Sequence, residues 1–190
     1  MPTSVRKLGL TLHVVSSIGW LGAVAAFLAL AGAGLTSFDA MTVRSSYVAM
    51  NVVARSVILP LCLASLATGI FQSLTTRWGL IQHYWVLLKL GLTVLATLVL
   101  LMHLQPIADL AVAAAVRPLL PADLRFLRLQ VSLDAGAAFL VLIVSTVLAV
   151  YKPRGVTGYG WRKQQVARSA AFGTAGTTQP DTHAGGTAAT

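Results

Sequence analysis

Long, nearly uninterrupted runs of apolar residues dominate the chain, and polar residues gather between them. Four such runs cover about residues 8–35, 47–74, 84–107 and 129–151, and we expect the helix of the fourth run to begin near residue 122 and so to cover 122–151. Each is longer than the roughly 20 apolar residues with which an α-helix crosses a bilayer. The alternation of apolar and polar residues that is typical of a half-buried strand is absent. The pattern predicts an all-α fold, a polytopic membrane four-helix bundle within residues 1–165.

Two stretches outside the four runs differ from them in composition. Residues 108–116 are apolar with one aspartate, and Pro118 and Pro121 follow. We expect a short interfacial helix there, because proline breaks helices. Residues 166–190 are mostly Ala, Thr, Gly and Gln, which is too little apolar content for a folded segment. We expect a disordered cytoplasmic tail over that range.

The first run has an alternative interpretation as a cleaved signal peptide. Ala31, Gly32 and Ala33 resemble a cleavage site of small residues. The apolar run that precedes them is about twice as long as the apolar region of a typical signal peptide. The length therefore favours a retained transmembrane helix.

Composition agrees with a membrane protein. Of the 190 residues 56% are hydrophobic and 10% are charged, and none is glutamate, whereas soluble domains contain about 25% charged residues. We expect the lipid bilayer to cover the surface, with a homo-oligomer or a membrane partner left open. The net charge of +9 lies in the flanks of apolar runs, so we expect no nucleic-acid partner. Cys62 is the single cysteine, which excludes an internal disulfide.

Lysine and arginine residues between the runs predict the orientation, because they are more frequent in cytoplasmic segments. With a cytoplasmic N-terminus, eight of them are cytoplasmic and four are external. The eight are Arg6, Lys7, Arg77, Lys152, Arg154, Arg162, Lys163 and Arg168, and the four are Arg44, Arg117, Arg125 and Arg128. The count predicts a multi-pass protein of the inner (plasma) membrane with both termini in the cytoplasm.

Five ionisable residues lie inside the apolar runs: His13, Arg55, Lys89, His103 and Asp134. A charge near the bilayer centre costs about 2.5–3.5 kcal/mol on insertion scales, so such residues usually have partners and often have functions. The helical rise of about 1.5 Å per residue places His13 and Lys89 at a similar depth near the cytoplasmic face. The same arithmetic places the other three in the outer half, where we expect an Arg55–Asp134–His103 network that contains an Arg55–Asp134 ion pair.

The two intramembrane histidines are candidate haem ligands, because histidine is a common axial ligand of haem iron. His13 and His103 differ in depth by about 20 Å on the helical rise, so they cannot share one iron. His13 could ligate a haem near the inner side with His83, and His103 could ligate another near the outer side. Purely structural roles for His13 and His103 are the alternative. For Lys89, the alternative is that its long side chain extends to the membrane interface.

Three stretches together resemble a group of small four-helix bacterial membrane proteins. They are the run from Leu12 to Gly22 (LHVVSSIGWLG), the run from His83 to Lys89 (HYWVLLK) that leads to His103, and the motifs YKPRG and YGWR after residue 150. The resemblance covers most of residues 5–165. It implies a bacterial inner membrane and four helices, and it carries no activity with it.

A histidine early in a span, followed by Trp and Gly, is also similar to the copper-resistance D proteins and the bacterial membrane protoporphyrinogen oxidase. Trp85, Lys89, Leu90 and His103 match a second span of that oxidase. The similarity implies that His13 is a haem or metal ligand, that Lys89 contacts substrate or a propionate, and that His103 is a second ligand. The methionine-rich outer segments expected of copper handling are missing from this sequence.

The sequence predicts no specific catalytic residue, since it has no phosphate-binding glycine loop, H-E-x-x-H or C-x-x-C motif. The leading hypothesis is an integral membrane protein that binds haem, with haem b as the cofactor the pattern allows, or that carries out membrane redox chemistry. Its cofactor-binding residues are His13, His103 and Lys89, with no separate metal site. The alternative is a non-enzymatic, transporter-like or accessory subunit, in which Arg55 and Asp134 form a gating or assembly pair.

Overall fold

The computed structural model describes residues 3–75, 84–116 and 124–151, and the single positions 157, 158, 161, 162, 165, 166 and 169. Five α-helices account for nearly all of the three long ranges. They are α1 (Thr3–Thr36), α2 (Ala40–Val53), α3 (Leu59–Thr75), α4 (Tyr84–Val116) and α5 (Arg125–Tyr151). A π-helical turn, Ala54–Ile58, joins α2 and α3 into one continuous segment. We call this segment, Ala40–Thr75, the second segment.

Four helical segments are long and apolar enough to cross a membrane, namely Thr3–Thr36, Ala40–Leu74, Tyr84–Val116 and Arg125–Tyr151. The predicted all-α class and the four long helices are therefore confirmed. Large apolar side chains are exposed on all four, such as Ile18 (65%), Leu63 (47%), Leu98 (53%) and Leu133 (71%).

Each segment packs against two neighbours. α1 lies against the second segment and α5, and α4 lies against the same two. α1 and α4 are consequently diagonal to each other, as are the second segment and α5. The core runs along the common axis and contains Trp20, Tyr47, Met50, Cys62 and Leu110.

The π turn has its cause in Pro60. Proline lacks the N–H that would bond to the carbonyl four residues before it, and its ring crowds the preceding turn. The helix widens just before it, and the Leu59 N–H bonds to the carbonyl of Ala54, five residues back. Such single π turns frequently occur at functional sites, and this one carries Arg55.

The separate interfacial helix expected over 108–116 is wrong. α4 continues through Pro106 to Val116 as one helix of 33 residues. Ile107, Leu110, Ala111 and Ala114 are buried on this last part, where α4 lies against α2. Burial against a neighbour outweighs the loss of one backbone hydrogen bond at proline.

Several predictions fall outside the described residues. They concern His83, the loop after Val116 up to residue 123, and nearly all of the 166–190 tail, where only Val166 and Ser169 are described.

Candidate functional site

A cavity of about 520 Å³ lies between α1, α3 and α4, with Ala149 contributed by α5, at the end of the helices where α1 begins. We call it the His13 cavity. Three cationic side chains line it, those of Arg6, Lys7 and Lys89, and no carboxylate is among its lining residues in the described part of the chain. The remaining wall is mostly apolar, with further polar groups from His13, Ser65, Gln72, Ser73, Trp85 and Thr93.

The His13 ring is held in a defined orientation. Its Nδ1 lies 3.1 Å from the carbonyl oxygen of Ser65 and 3.1 Å from the hydroxyl of Thr68. A carbonyl oxygen only accepts hydrogen bonds, and the Thr68 hydroxyl has its own acceptor in the Ala64 carbonyl at 2.6 Å. Nδ1 therefore carries the proton and donates it. In the neutral imidazole, Nε2 then has the free lone pair.

Lys89 and Gly69 complete the surroundings of that ring. The Lys89 ammonium lies 3.4 Å from Nε2 of His13 and can only donate, which agrees with a lone pair on Nε2. A Cβ at Gly69 would lie 3.1 Å from Cε1 of His13. Glycine at position 69 is what allows the His13 ring to approach α3 this closely. The predicted pairing in depth of His13 and Lys89 is a direct contact in the structure.

Two more hydrogen bonds join α1 to α3 next to the cavity. The hydroxyls of Ser17 and Ser65 are 2.7 Å apart, and the Gln72 side chain donates to the carbonyl of Gly9 at 2.9 Å. On α5, Ser145 is buried, and its hydroxyl oxygen has no hydrogen-bond partner among the described residues. Ser145 lies one turn before Ala149, which lines the cavity. These contacts fix the position of the His13-bearing turn of α1 relative to α3.

His103 lies far from this cavity and has a different environment. Its Nδ1 is 2.8 Å from the carbonyl oxygen of Val99, and its Nε2 is 2.7 Å from Oδ2 of Asp134. The Gln130 amide lies 3.4 Å from the same Nε2. Lys89 and His103 are 14 residues apart on α4, which is about 21 Å at a rise of 1.5 Å per residue. Both ring nitrogens of His103 thus have protein partners, whereas a histidine that ligates a metal ion keeps one ring nitrogen for the metal.

The predicted Arg55–Asp134 ion pair does not form in the described part of the chain. Arg55 donates to the side chain of Asn51 at 3.2 Å and to the carbonyl of Leu104 at 3.3 Å, while Asp134 pairs with His103. The reason is the packing order. Arg55 is on the second segment and Asp134 is on α5, and these two are diagonal, whereas α4 is adjacent to both.

The sequence interpretation missed the structural role of Arg128. The sequence assigns Arg128 to an external segment, but Arg128 is buried, with 5% of its surface exposed. It donates to the hydroxyl of Tyr47 at 2.8 Å and to the carbonyl of Gly34, and it lies 5.4 Å from the centre of the Tyr47 ring. A signal existed, because Arg128 precedes the buried Ala135 and Leu142 by seven and fourteen residues on the same face of α5.

The described residues contain no group of three or more His, Cys, Asp or Glu side chains that could hold a metal ion. Comparison of the chain with protein-family models, curated proteins and solved structures gave no match.

Proposed function

We propose that this chain is an integral membrane protein that binds haem, or a closely related iron tetrapyrrole, in the His13 cavity. The observation that carries the proposal is the orientation of His13. A histidine that ligates a metal usually donates its other ring N–H to a carbonyl or carboxylate, which fixes the tautomer. His13 makes this second contact with Ser65 and keeps Nε2 for the iron.

The membrane location is part of the proposal. Four helices have the length and composition of spans, and large apolar side chains are exposed along them. We infer a four-helix membrane bundle in a bacterial inner membrane, with both termini cytoplasmic as the lysine and arginine count favours. The His13 cavity then opens at the cytoplasmic side.

The size and charge of the cavity suit a flat apolar molecule with acidic groups. A volume of about 520 Å³ lies within the roughly 300–1,000 Å³ of small-molecule pockets. Its apolar walls match a macrocycle. Arg6, Lys7 and Lys89 supply cations for two propionates, because bonds between ionised donors and carboxylates are the strong ones.

Several residues of the chain contribute to haem binding, each in a different way. His13 offers Nε2, and Ser65 and Thr68 keep that ring from rotating. Lys89, which has a long flexible stem, exchanges its contact with Nε2 for a contact with a ligand carboxylate. Bound haem would supply one-electron redox chemistry.

The test is a haemin titration of the full chain purified in mild detergent, followed by absorption. We expect a Soret band that saturates at one haem per chain, and we expect its loss in His13→Ala. His103→Ala is the matched control and should retain the band, since it lies about 21 Å along α4 from Lys89. Absence of a saturable band in the unmodified chain would refute the proposal.

A second candidate is favoured by the three cations. A cavity with cations, apolar walls and, among the described residues, no lining carboxylate also suits an amphipathic anion without iron, which is the ligand class of a transporter-like or accessory protein. Metal-free protoporphyrin and a fatty acid are probes for it. Binding of both probes to the wild-type chain and to His13→Ala with equal affinity, together with no Soret band, would favour this candidate over haem.

A further inference from the structure

Two ionisable side chains of opposite charge reach the outer surface of the bundle within the apolar segments. Arg55 is exposed, and the Asp134 side chain is 36% exposed. Exposed leucine and valine are ordinary where lipid covers a helix, but a charge on such a surface is costly and usually has a partner. The two charges therefore indicate what covers the surface beside them.

The guanidinium of Arg55 has no charged partner among the described residues. Its two hydrogen bonds go to uncharged acceptors, the side-chain oxygen of Asn51 and the carbonyl of Leu104. An arginine has five N–H donors, so Arg55 can bind a carboxylate without giving up either bond.

Asp134 can accept from a second donor. Its Oδ2 lies 2.7 Å from Nε2 of His103, while its Oδ1 makes no hydrogen bond to the described residues. A guanidinium that donates to Oδ1 would leave the contact between Asp134 and His103 in place. Asp134 is thus a suitable acceptor for an arginine that comes from outside the chain.

Arg55 and Asp134 lie at the same depth. Arg55 donates to the carbonyl of Leu104, and Asp134 pairs with the ring of His103. Leu104 and His103 are consecutive residues of α4, where the rise is about 1.5 Å per residue. Copies of the chain that insert with the same orientation therefore present Arg55 and Asp134 at matching levels.

The two residues belong to different faces of the bundle. The second segment lies on one side of α4 and α5 lies on the other, so Arg55 lies where the second segment meets α4, and Asp134 lies where α5 meets α4. A contact between one of these faces and the other face of the next copy is heterologous, and it closes into a ring when the rotation permits. With four segments at the corners of a square, the rotation is close to a right angle, and four copies close the ring.

We propose that copies of this chain associate in the membrane through an ion pair between Arg55 of one copy and Asp134 of the next, in a ring with α4 at its centre. An anionic lipid would neutralise Arg55 and leave Asp134 exposed, whereas a second copy satisfies both residues. The ion pair that the packing order forbids within one chain forms between chains.

The test is light scattering of the full chain in mild detergent, which gives the mass of protein in each particle. We expect a mass of about four chains for the wild type, and dissociation of Arg55→Gln at the same concentration. Arg44→Gln is the matched control, because Arg44 is also an exposed arginine of the second segment, and it should associate like the wild type.

Exchange of the charges tests the pairing itself. Arg55→Asp and Asp134→Arg should each fail to self-associate, because each places like charges opposite one another. On two differently tagged chains in one cell, the two variants should copurify, since every charge then meets its opposite on the other chain. An ion pair inside one chain cannot give this result, because the second segment and α5 are diagonal.

Three results would overturn the proposal: a wild-type mass of one or two chains, an Arg55→Gln mass equal to that of the wild type, or two charge variants that keep the wild-type Tm and do not copurify. The proposal rests on the membrane location inferred above and is independent of haem. Alkaline extraction of membranes separates the two failures. Release of the chain would contradict the membrane location, whereas a retained chain that is monomeric would contradict the association alone.

Discussion

At the scale of single residues, the absence of a side chain at position 69 matters as much as the imidazole of His13. A Cβ there would lie 3.1 Å from Cε1 and 3.5 Å from Nδ1 of the ring, while the hydrogen bond to Ser65 opposes rotation of that ring. The ring orientation thus depends on both positions.

We expect Gly69→Ala to reduce haem occupancy several-fold. The added methyl group pushes the ring away from the direction in which Nε2 would ligate, and crowding of this kind costs about 1–3 kcal/mol, while alanine returns up to about 1 kcal/mol of helix propensity. Haemin titration measures the effect.

Gly91→Ala is the matched control for that substitution, because a Cβ at Gly91 meets nothing within 4 Å. It should leave haem binding unchanged. Equal haem affinity in the Gly69 and Gly91 variants would contradict the role given to the ring orientation.

Asp39 is the N-cap of α2. The Thr42 hydroxyl, the Thr42 N–H and the Met41 N–H donate to it, and these bonds hold the pKa of the Asp39 carboxyl below its usual value. A carboxyl whose pKa is lowered by folding stabilises the folded state above its unfolded pKa, and this stabilisation is lost as the pH falls through the folded pKa.

The Tm of Asp39→Ala should therefore lie below that of the wild type at neutral pH, and the two should converge in acid. Thermal unfolding in detergent over a pH series measures the difference. Asp39→Asn, which still caps the helix but does not titrate, serves as the control. A gap between wild type and alanine variant that is the same at every pH would be inconsistent with this account.

Residue depth could be predicted from the sequence, but the partners within each group could be predicted only in part. Apolar run boundaries and the helical rise placed His13 near Lys89 and placed His103, Arg55 and Asp134 in the opposite half. Whether His103 or Arg55 pairs with Asp134 depends on the order in which the helices are arranged around the common axis. That order depends on which faces pack together, and a single sequence does not encode it in any local pattern.

At the scale of elements, α1, α2 and α5 are joined at one point by Gly34, Tyr47 and Arg128. Tyr47 is 1% exposed, and a Cβ at Gly34 would lie 2.9 Å from Cζ of its ring. The Gly34 carbonyl also accepts from Arg128. Close approach of α1 to α2 is thus a condition for the buried arginine to find its acceptors.

We expect Gly34→Ala to destabilise the fold by about 1–3 kcal/mol, the range for overpacking in a core, because a rigid aromatic ring cannot yield by rotation. The measurement is the Tm in detergent. Gly32→Ala is the control on the same helix, since a Cβ at Gly32 meets nothing within 4 Å. A Tm for Gly34→Ala that matches that of Gly32→Ala would be evidence against the tight contact.

The presence of the four long helices could be predicted from the sequence, whereas the positions of their ends could be predicted less well. Apolar runs far longer than any strand left no alternative to four helices. The third apolar run was expected to end near residue 107, yet α4 continues to Val116. The proline at position 106 removes one hydrogen bond, whereas the turns that follow it bury four side chains where α4 lies against α2. The π turn before Pro60 is the other local response to proline.

At the scale of the whole molecule, the proposal fixes the side on which each loop lies. Phe38, between α1 and α2, is 98% exposed, and Ser4 lies near the start of α1. Cys62 is the single cysteine, and Cys62→Ser keeps a hydroxyl for its contact with Thr97. The chain therefore offers a cysteine-free background.

In that background, Phe38→Cys should react with a membrane-impermeant thiol reagent added to intact spheroplasts. Ser4→Cys should react only after the membrane is permeabilised. The pattern follows from a cytoplasmic N-terminus and a first helix that crosses once. Labelling of Ser4→Cys in intact spheroplasts, with protection of Phe38→Cys, would reverse the proposed orientation.

The central claim, that Nε2 of His13 ligates iron in the His13 cavity, is tested most directly by the absorption spectrum of haem-loaded His13→Gly with and without added imidazole. We predict a Soret band in the wild type, its loss in His13→Gly, and its return with imidazole, which can occupy the space of the missing ring and donate to Ser65. A His13→Gly spectrum that equals the wild type without imidazole would contradict the claim.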